Sequence, residues 1–260
     1  MPLVRSKERD REVARRIAEE GTILRAVVGS QLHGLNNPGT DDRDEMAVCV
    51  EPREYVLGLR EFEHYVYRTQ AEGDPSGPGD LDLVVYGLRK YCRLALKGSP
   101  TVLLLLFVSD GEHVVSRTSL GERLQALAPA FVSRRTGRAF LGYLEAQRRG
   151  LLGERHATRT RERSREHGYD TKYAMHSLRI GAQGHELLTT GRITLPVPEP
   201  QRELLMRVRR GEPTLDEIVA EIDATTARLE QAVRDSDVPE DADRDAVDRF
   251  LVEAYEESWA

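Results

Sequence analysis

The chain has 260 residues, 38 of them basic and 44 acidic, with a formal net charge of −6. That length allows one large domain or two small ones, and the acidic balance excludes a general attraction to polyanions, so any contact with nucleic acid has to be a local patch. Cys49 and Cys92 lie in apolar stretches and read as buried, reduced thiols; no signal-peptide core opens the chain and its longest apolar run, Val102 to Val108, is too short to span a bilayer, so a soluble, cytoplasmic protein without membrane contact is expected.

Residues 5 to 20 are charge-rich, with Val13 and Ile17 at helical spacing, and predict an amphipathic helix that stops at Gly21. The β-branched run Thr22 to Val28 predicts a strand that opens into Gly29-Ser30, where the chain can turn closely around a ligand. After the polar loop LNNPGT, the segment Asp42 to Val50 has the apolar tail of a second strand. The breaker-rich GDPSGPG predicts a loop, Asp80 to Tyr86 a third strand, and LRKYCRLALKGSP a helix with Leu88, Cys92 and Leu96 on one face, stopped by Gly98 and Pro100. Everything beyond reads as helical, near 119–129, 137–152, 169–190, 214–233 and 243–257. An α/β (α+β) fold is expected, with a mixed core at residues 1–115 and a helical, substrate-binding region at 116–260.

Two carboxylates, Asp42 and Asp44, flank Arg43 where the second strand starts, and the two-residue period of a strand points both to one side. Their mutual repulsion is offset by a divalent cation, and hard oxygen ligands suit Mg²⁺, with Mn²⁺ as the alternative. Asp41 points away and reads as a turn or capping residue. A third acid on a neighbouring strand would complete a two-metal site; Asp82 is the candidate, with Asp80 as the fallback. Backbone amides at Gly29 and Ser30 would grip the β- and γ-phosphates of an NTP while an acceptor hydroxyl attacks the α-phosphorus in line. His33, inside the same loop, is a further candidate for touching substrate.

With these residues in place, GSQLHGLNNPGTDDRDEMAV resembles the GSxxxG…[ST]DxD signature of the DNA polymerase β superfamily of nucleotidyltransferases. DLVVYGLRKYCRLALKGSPTVL and GYDTKYAMHSLRIGAQGHELLTTGRITLP resemble two later blocks of the predicted nucleotidyltransferases associated with RNA ligases. The resemblance spans roughly residues 27 to 196 and implies a polymerase β-type core with a short mixed sheet, phosphate roles for Gly29 and Ser30, and metal roles for Asp42, Asp44 and Asp82. It departs at Leu104, where the family block carries an acid, and at Met46 and Ala47 after the metal pair.

In the helical half, Lys172, His176 and Arg179 recur at i, i+4 and i+7, so one helix face could meet a triphosphate, the leaving pyrophosphate or an active-site carboxylate. Tyr173, at the edge of that face, reads first as a packing residue. The arginine-rich stretch Arg148, Arg149, Arg155, Arg159, Arg161, Arg163 and Arg165 is either a solvated face, partly neutralised by Glu154 and Glu162, or a phosphate site. The stripe Val247, Phe250, Leu251, Ala254 and Tyr255 predicts a terminal helix packed on its own domain; no oligomeric state is assigned. The resulting expectation is an enzyme that moves an NMP from an NTP to a hydroxyl, on an RNA end or on a small-molecule or protein acceptor; a non-catalytic nucleotide or RNA sensor is the third reading.

Overall fold

The computed structural model describes residues 2–37, 39–71, 74, 76–153 and 166–260. Its contacts divide the chain into two compact units. Unit 1 comprises Met1–Ala95, Leu104–Ala130 and Asp243–Ala260; unit 2 comprises Leu96–Leu103 and Phe131–Ala242. The contacts therefore draw the boundary differently from a single cut near residue 115, because the helix Ser119–Ala126 and the terminal helix both group with the sheet.

Unit 1 is built on a five-stranded mixed sheet of order β3-β4-β2-β1-β5. The strands are β1 (Thr22–Val27), β2 (Arg43–Cys49), β3 (His64–Arg68), β4 (Leu81–Gly87) and β5 (Val114–Arg117). Among the described residues, β2 and β4 pair in parallel and the other neighbours are antiparallel. Helix α1 (Pro2–Gly21) precedes the sheet, and its Ile17 and Ala18 are buried in one cluster with Ala47 and Cys49 of β2, Leu83 and Val85 of β4, and Phe62. These strand residues alternate in sequence, as a half-buried sheet requires, and the alternation leaves Asp44 of β2 and Asp82 of β4 on the opposite face. Burial pushes the Cys92 thiol up to about 12 and raises Cys49 as well, so both are inert buried thiols.

The terminal helix (Arg244–Trp259) is tied to the same unit by one buried acid. Glu51, 1% exposed, accepts on Oε2 from the Tyr255 hydroxyl at 2.7 Å and from the Leu88 amide at 3.0 Å, at the start of helix Leu88–Leu96. The Trp259 indole donates to the Glu51 carbonyl oxygen at 3.0 Å, and the Tyr255 and Trp259 rings stack with centroids 4.9 Å apart. Val247, Phe250, Ala254 and Tyr255 are buried and Leu251 is half-buried, and the helix groups with the sheet of unit 1 and not with the helical region in which it was expected.

Unit 2 is helical, with Arg134–Leu151, Thr171–Thr190, Gln201–Arg209 and Leu215–Asp235 as its longer elements. Small residues let these helices approach closely. A Cβ at Gly184 would lie 2.9 Å from the Phe140 ring, and one at Gly181 would lie 2.4 Å from the Thr225 methyl. Thr214 and Glu217 form a reciprocal capping box at the start of Leu215–Asp235. Among the described residues, no helix is long and apolar enough to cross a membrane.

Candidate active site

The structure brings Asp42, Asp44 and Asp82 together, with one carboxylate oxygen from each inside a group spanning no more than 4.8 Å. Two features of the backbone produce this. Strands β2 and β4 pair in parallel with Asp44 directly beside Asp82, and Asp42 lies one strand period before Asp44. All three side chains are half-buried. Asp80, the alternative third acid, is committed to its loop: it accepts from the Thr69 hydroxyl at 2.8 Å and from the Gly77 amide at 3.0 Å.

Gly29 follows β1 with a φ of +66°, and a Cβ there would lie 2.2 Å from Asp44 Oδ2. Only glycine allows both the left-handed turn and the close approach to a triad carboxylate. The main chain meets here too, because the Val28 amide donates to the Asp44 carbonyl at 2.9 Å. Asp41 holds the loop between β1 and β2, accepting on Oδ2 from the Ser30 hydroxyl and the Asn37 amide, each at 2.9 Å. It is a loop-closing residue, as its position before the strand suggested. His33 is only 2% exposed.

Asp82 has neighbours that motif reasoning missed. Its Oδ1 accepts from Gln70 Nε2 at 2.9 Å, and Arg68 Nε stands 3.6 Å from the same oxygen. Gln70 Nε2 also donates to Ser76 Oγ at 2.6 Å. The run His64-Tyr-Val-Tyr-Arg68 carries a readable strand signal, alternating aromatic and β-branched residues, and would have placed Arg68 on a strand. Its register with β4, and hence its approach to Asp82, has no local signal.

On the other face of β2, Glu45 is 4% exposed and takes Arg25 Nε and Arg43 Nε on its two oxygens, each at 2.5 Å. This buried carboxylate is compensated by two arginines, and on the opposite face the three aspartates bring carboxylate oxygens to within 4.8 Å of one another. Oxygen donors concentrated in that way suit a hard divalent cation.

In unit 2, Lys172, His176 and Arg179 all lie on helix Thr171–Thr190, whose N-terminus Asp170 caps by accepting from the Lys172 amide at 2.9 Å. Lys172 is exposed, and His176 and Arg179 are half-buried. Desolvation pushes the Arg179 guanidinium down to about 10, which leaves it charged at neutral pH, and its Nη1 donates to Gln183 Oε1 at 3.0 Å. Tyr173 packs against Gly150, where a Cβ would come within 2.6 Å of the ring. Of the arginine-rich stretch, Arg148 pairs with Asp223 at 3.2 Å and Arg149 is exposed; Arg155, Arg159, Arg161, Arg163 and Arg165 lie outside the described residues.

A sheet that gathers three aspartates at the ends of adjacent parallel strands, with a glycine turn closed over one of them, defines a candidate metal-dependent phosphoryl-group transferase site. A model of the RNA repair pathway DNA polymerase beta family (RlaP) matches residues 6–253, and the chain belongs to that family. Its class is accordingly that of the polymerase β-type nucleotidyltransferases. Among solved structures, a nucleotidyltransferase-like protein from Exiguobacterium sibiricum is similar at 14% identity, covering 95% of this chain and 80% of that one with a TM-score of 0.30. No curated protein matches the chain.

Proposed function

We propose that the chain transfers a nucleoside monophosphate from an NTP to an acceptor hydroxyl, with pyrophosphate as the leaving group. The observation that carries this is the Asp42–Asp44–Asp82 group on β2 and β4, in a chain of this family. The donor set, three carboxylates with no nitrogen or sulfur among them, fits Mg²⁺, with Mn²⁺ as a substitute. A pair of such ions, held by Asp42, Asp44 and Asp82, would polarise the α-phosphate and screen the charge of the triphosphate.

The protein's own groups do the rest. Gly29 leaves room for Asp44 and turns the backbone so that amides at Gly29 and Ser30 can meet the β- and γ-phosphates. The acceptor oxygen attacks the α-phosphorus, its proton passes to Asp82, and the bond from the α-phosphorus to the bridging oxygen breaks with both electrons going to pyrophosphate. His33, expected from the sequence to touch substrate, is 2% exposed, and the role proposed for it here is to support the phosphate loop. Lys172, His176 and Arg179 are proposed as a cationic face for phosphate, with Lys172 the most accessible of the three.

The family's description, RNA repair, favours an RNA end as the acceptor over a small molecule or a protein side chain. Two free, buried cysteines support a reducing, cytoplasmic setting. The reading is tested by incubating the protein and Mg²⁺ with each α-labelled NTP and RNA oligomers bearing free 3′ ends. Label on RNA, lost with Asp42→Asn, is the expected result; Mg²⁺-dependent NTP binding with label only on small molecules or protein would move the acceptor to those classes. Unlabelled products throughout, with NTP still bound, would favour the sensor reading. Binding of RNA through the arginine stretch should weaken steeply as salt rises, with a slope worth several phosphates.

A further inference from the structure

Strand β3 is an edge strand, and its last residue, Arg68, pairs directly with Asp82. Residues opposite each other in an antiparallel pair share a face, so Arg68 lies on the face that carries Asp44 and Asp82. Its guanidinium is not clamped there. The 3.6 Å from Nε to Asp82 Oδ1 is beyond hydrogen-bonding distance, and the Arg68 side chain is 63% exposed. Asp82 itself is held by a different group, Gln70 Nε2 at 2.9 Å, which is fixed in turn by Ser76 Oγ. Arg68 can therefore turn away without releasing Asp82.

We propose that Arg68 is a phosphate-binding residue that makes the aspartate triad favour a metal–polyphosphate complex over the bare metal ion. A positive charge beside one of three ligand carboxylates opposes a divalent cation that arrives alone. The same charge is favourable when the cation arrives with a polyphosphate, because a guanidinium presents paired N–H donors that match phosphate oxygens. Gln70 acts as a positioning residue, keeping Asp82 directed into the triad in either case. The inference rests on the nucleotidyl-transfer reading for its choice of ligand, but both of its consequences are binding measurements that need no turnover.

The experiment compares wild type, Arg68→Ala and Arg68→Lys in two titrations: Mn²⁺ alone, followed by electron paramagnetic resonance, and inorganic triphosphate at saturating Mn²⁺, followed by calorimetry. Thermal melts confirm that each variant is folded. Arg68→Ala should bind Mn²⁺ about threefold to tenfold more tightly and Mn²⁺–triphosphate about tenfold more weakly. Arg68→Lys, which keeps the charge without the fork, should return Mn²⁺ affinity to near the wild-type value and restore triphosphate binding only in part. A variant that loses both affinities, or tightens Mn²⁺ with triphosphate unchanged, overturns the proposal. If wild type binds no Mn²⁺, the metal reading of the triad falls and the proposal falls with it. Opposite shifts in the two titrations, in a protein that moves no nucleotide, would sustain Arg68's role and sink only the transfer reading.

Discussion

Replacing Gly29 by alanine tests the geometry of the candidate site at one atom. The residue sits at φ +66°, a region that costs an L-residue about 1–2 kcal/mol. The new Cβ would lie 2.2 Å from Asp44 Oδ2 and 3.0 Å from Asp44 Cβ and Cγ, where ordinary contact begins near 3.4 Å. The carboxylate must retreat by about 1 Å, and a shift of that size at a reacting centre costs about 100-fold in rate. Gly29→Ala should therefore lose about 1–2 kcal/mol in urea unfolding from the backbone term, to which moving the end of a half-buried side chain adds little, while Mg²⁺-dependent label transfer falls about 100-fold. Transfer at the wild-type rate in a variant that shows the stability loss would mean that Asp44 is not held at the reacting centre by this contact.

Three further outcomes follow from the same packing. Burial raises the Glu51 carboxyl above its ordinary value of 4.5, so the fold favours its protonated form. That contribution to stability is complete below the unfolded value and is lost as pH rises through the raised folded one. Glu51→Gln keeps an acceptor for the Leu88 amide and the Tyr255 hydroxyl, so its unfolding free energy should lack that decline between acidic and neutral pH; equal pH slopes in the two proteins would refute the assignment. Glu45→Ala strands Arg25 and Arg43 and should cost about 2–3 kcal/mol in urea unfolding, less than a fully buried pair because both arginines are partly exposed; a loss under about 0.5 kcal/mol would count against the account. Lys172→Ala should weaken triphosphate binding by a few-fold, about the worth of one exposed charge, without altering the thermal midpoint; unchanged binding would remove Lys172 from the phosphate contacts.

How much of this was legible in the sequence depends on the range of the interactions. Asp42 and Asp44 could be placed because a polar loop followed by an apolar run marks a strand entry, and period 2 does the rest. Most of the longer helices were readable from their spacing, and Thr171–Thr190 and Leu215–Asp235 lie close to where that spacing put them, but the short helix Gln201–Arg209 was not read. The pairing of Asp44 with Asp82 was a different matter. It joins strands separated by β3 and a long loop, and parallel register leaves no local mark. The same holds for Glu51, a lone acid before a proline, whose partner Tyr255 lies 204 residues away. That contact helps draw the terminal helix into the sheet unit, and no composition shift announces it. Strand β3 was legible in principle, since His64 to Arg68 alternates aromatic and β-branched residues, but its charged flanks obscured it; with β3 unread, Arg68 and Gln70 had no place beside Asp82.

Nucleotidyl transfer is proposed to depend on metal held by the three aspartates. The most direct measurement of that dependence is Mn²⁺ binding and α-labelled NTP turnover in parallel, for wild type and for Asp44→Asn, which keeps the shape of the side chain and removes its charge. The variant should lose most of its Mn²⁺ affinity and all detectable transfer while thermal melts show it folded. Wild-type Mn²⁺ affinity together with wild-type transfer in Asp44→Asn would contradict that dependence.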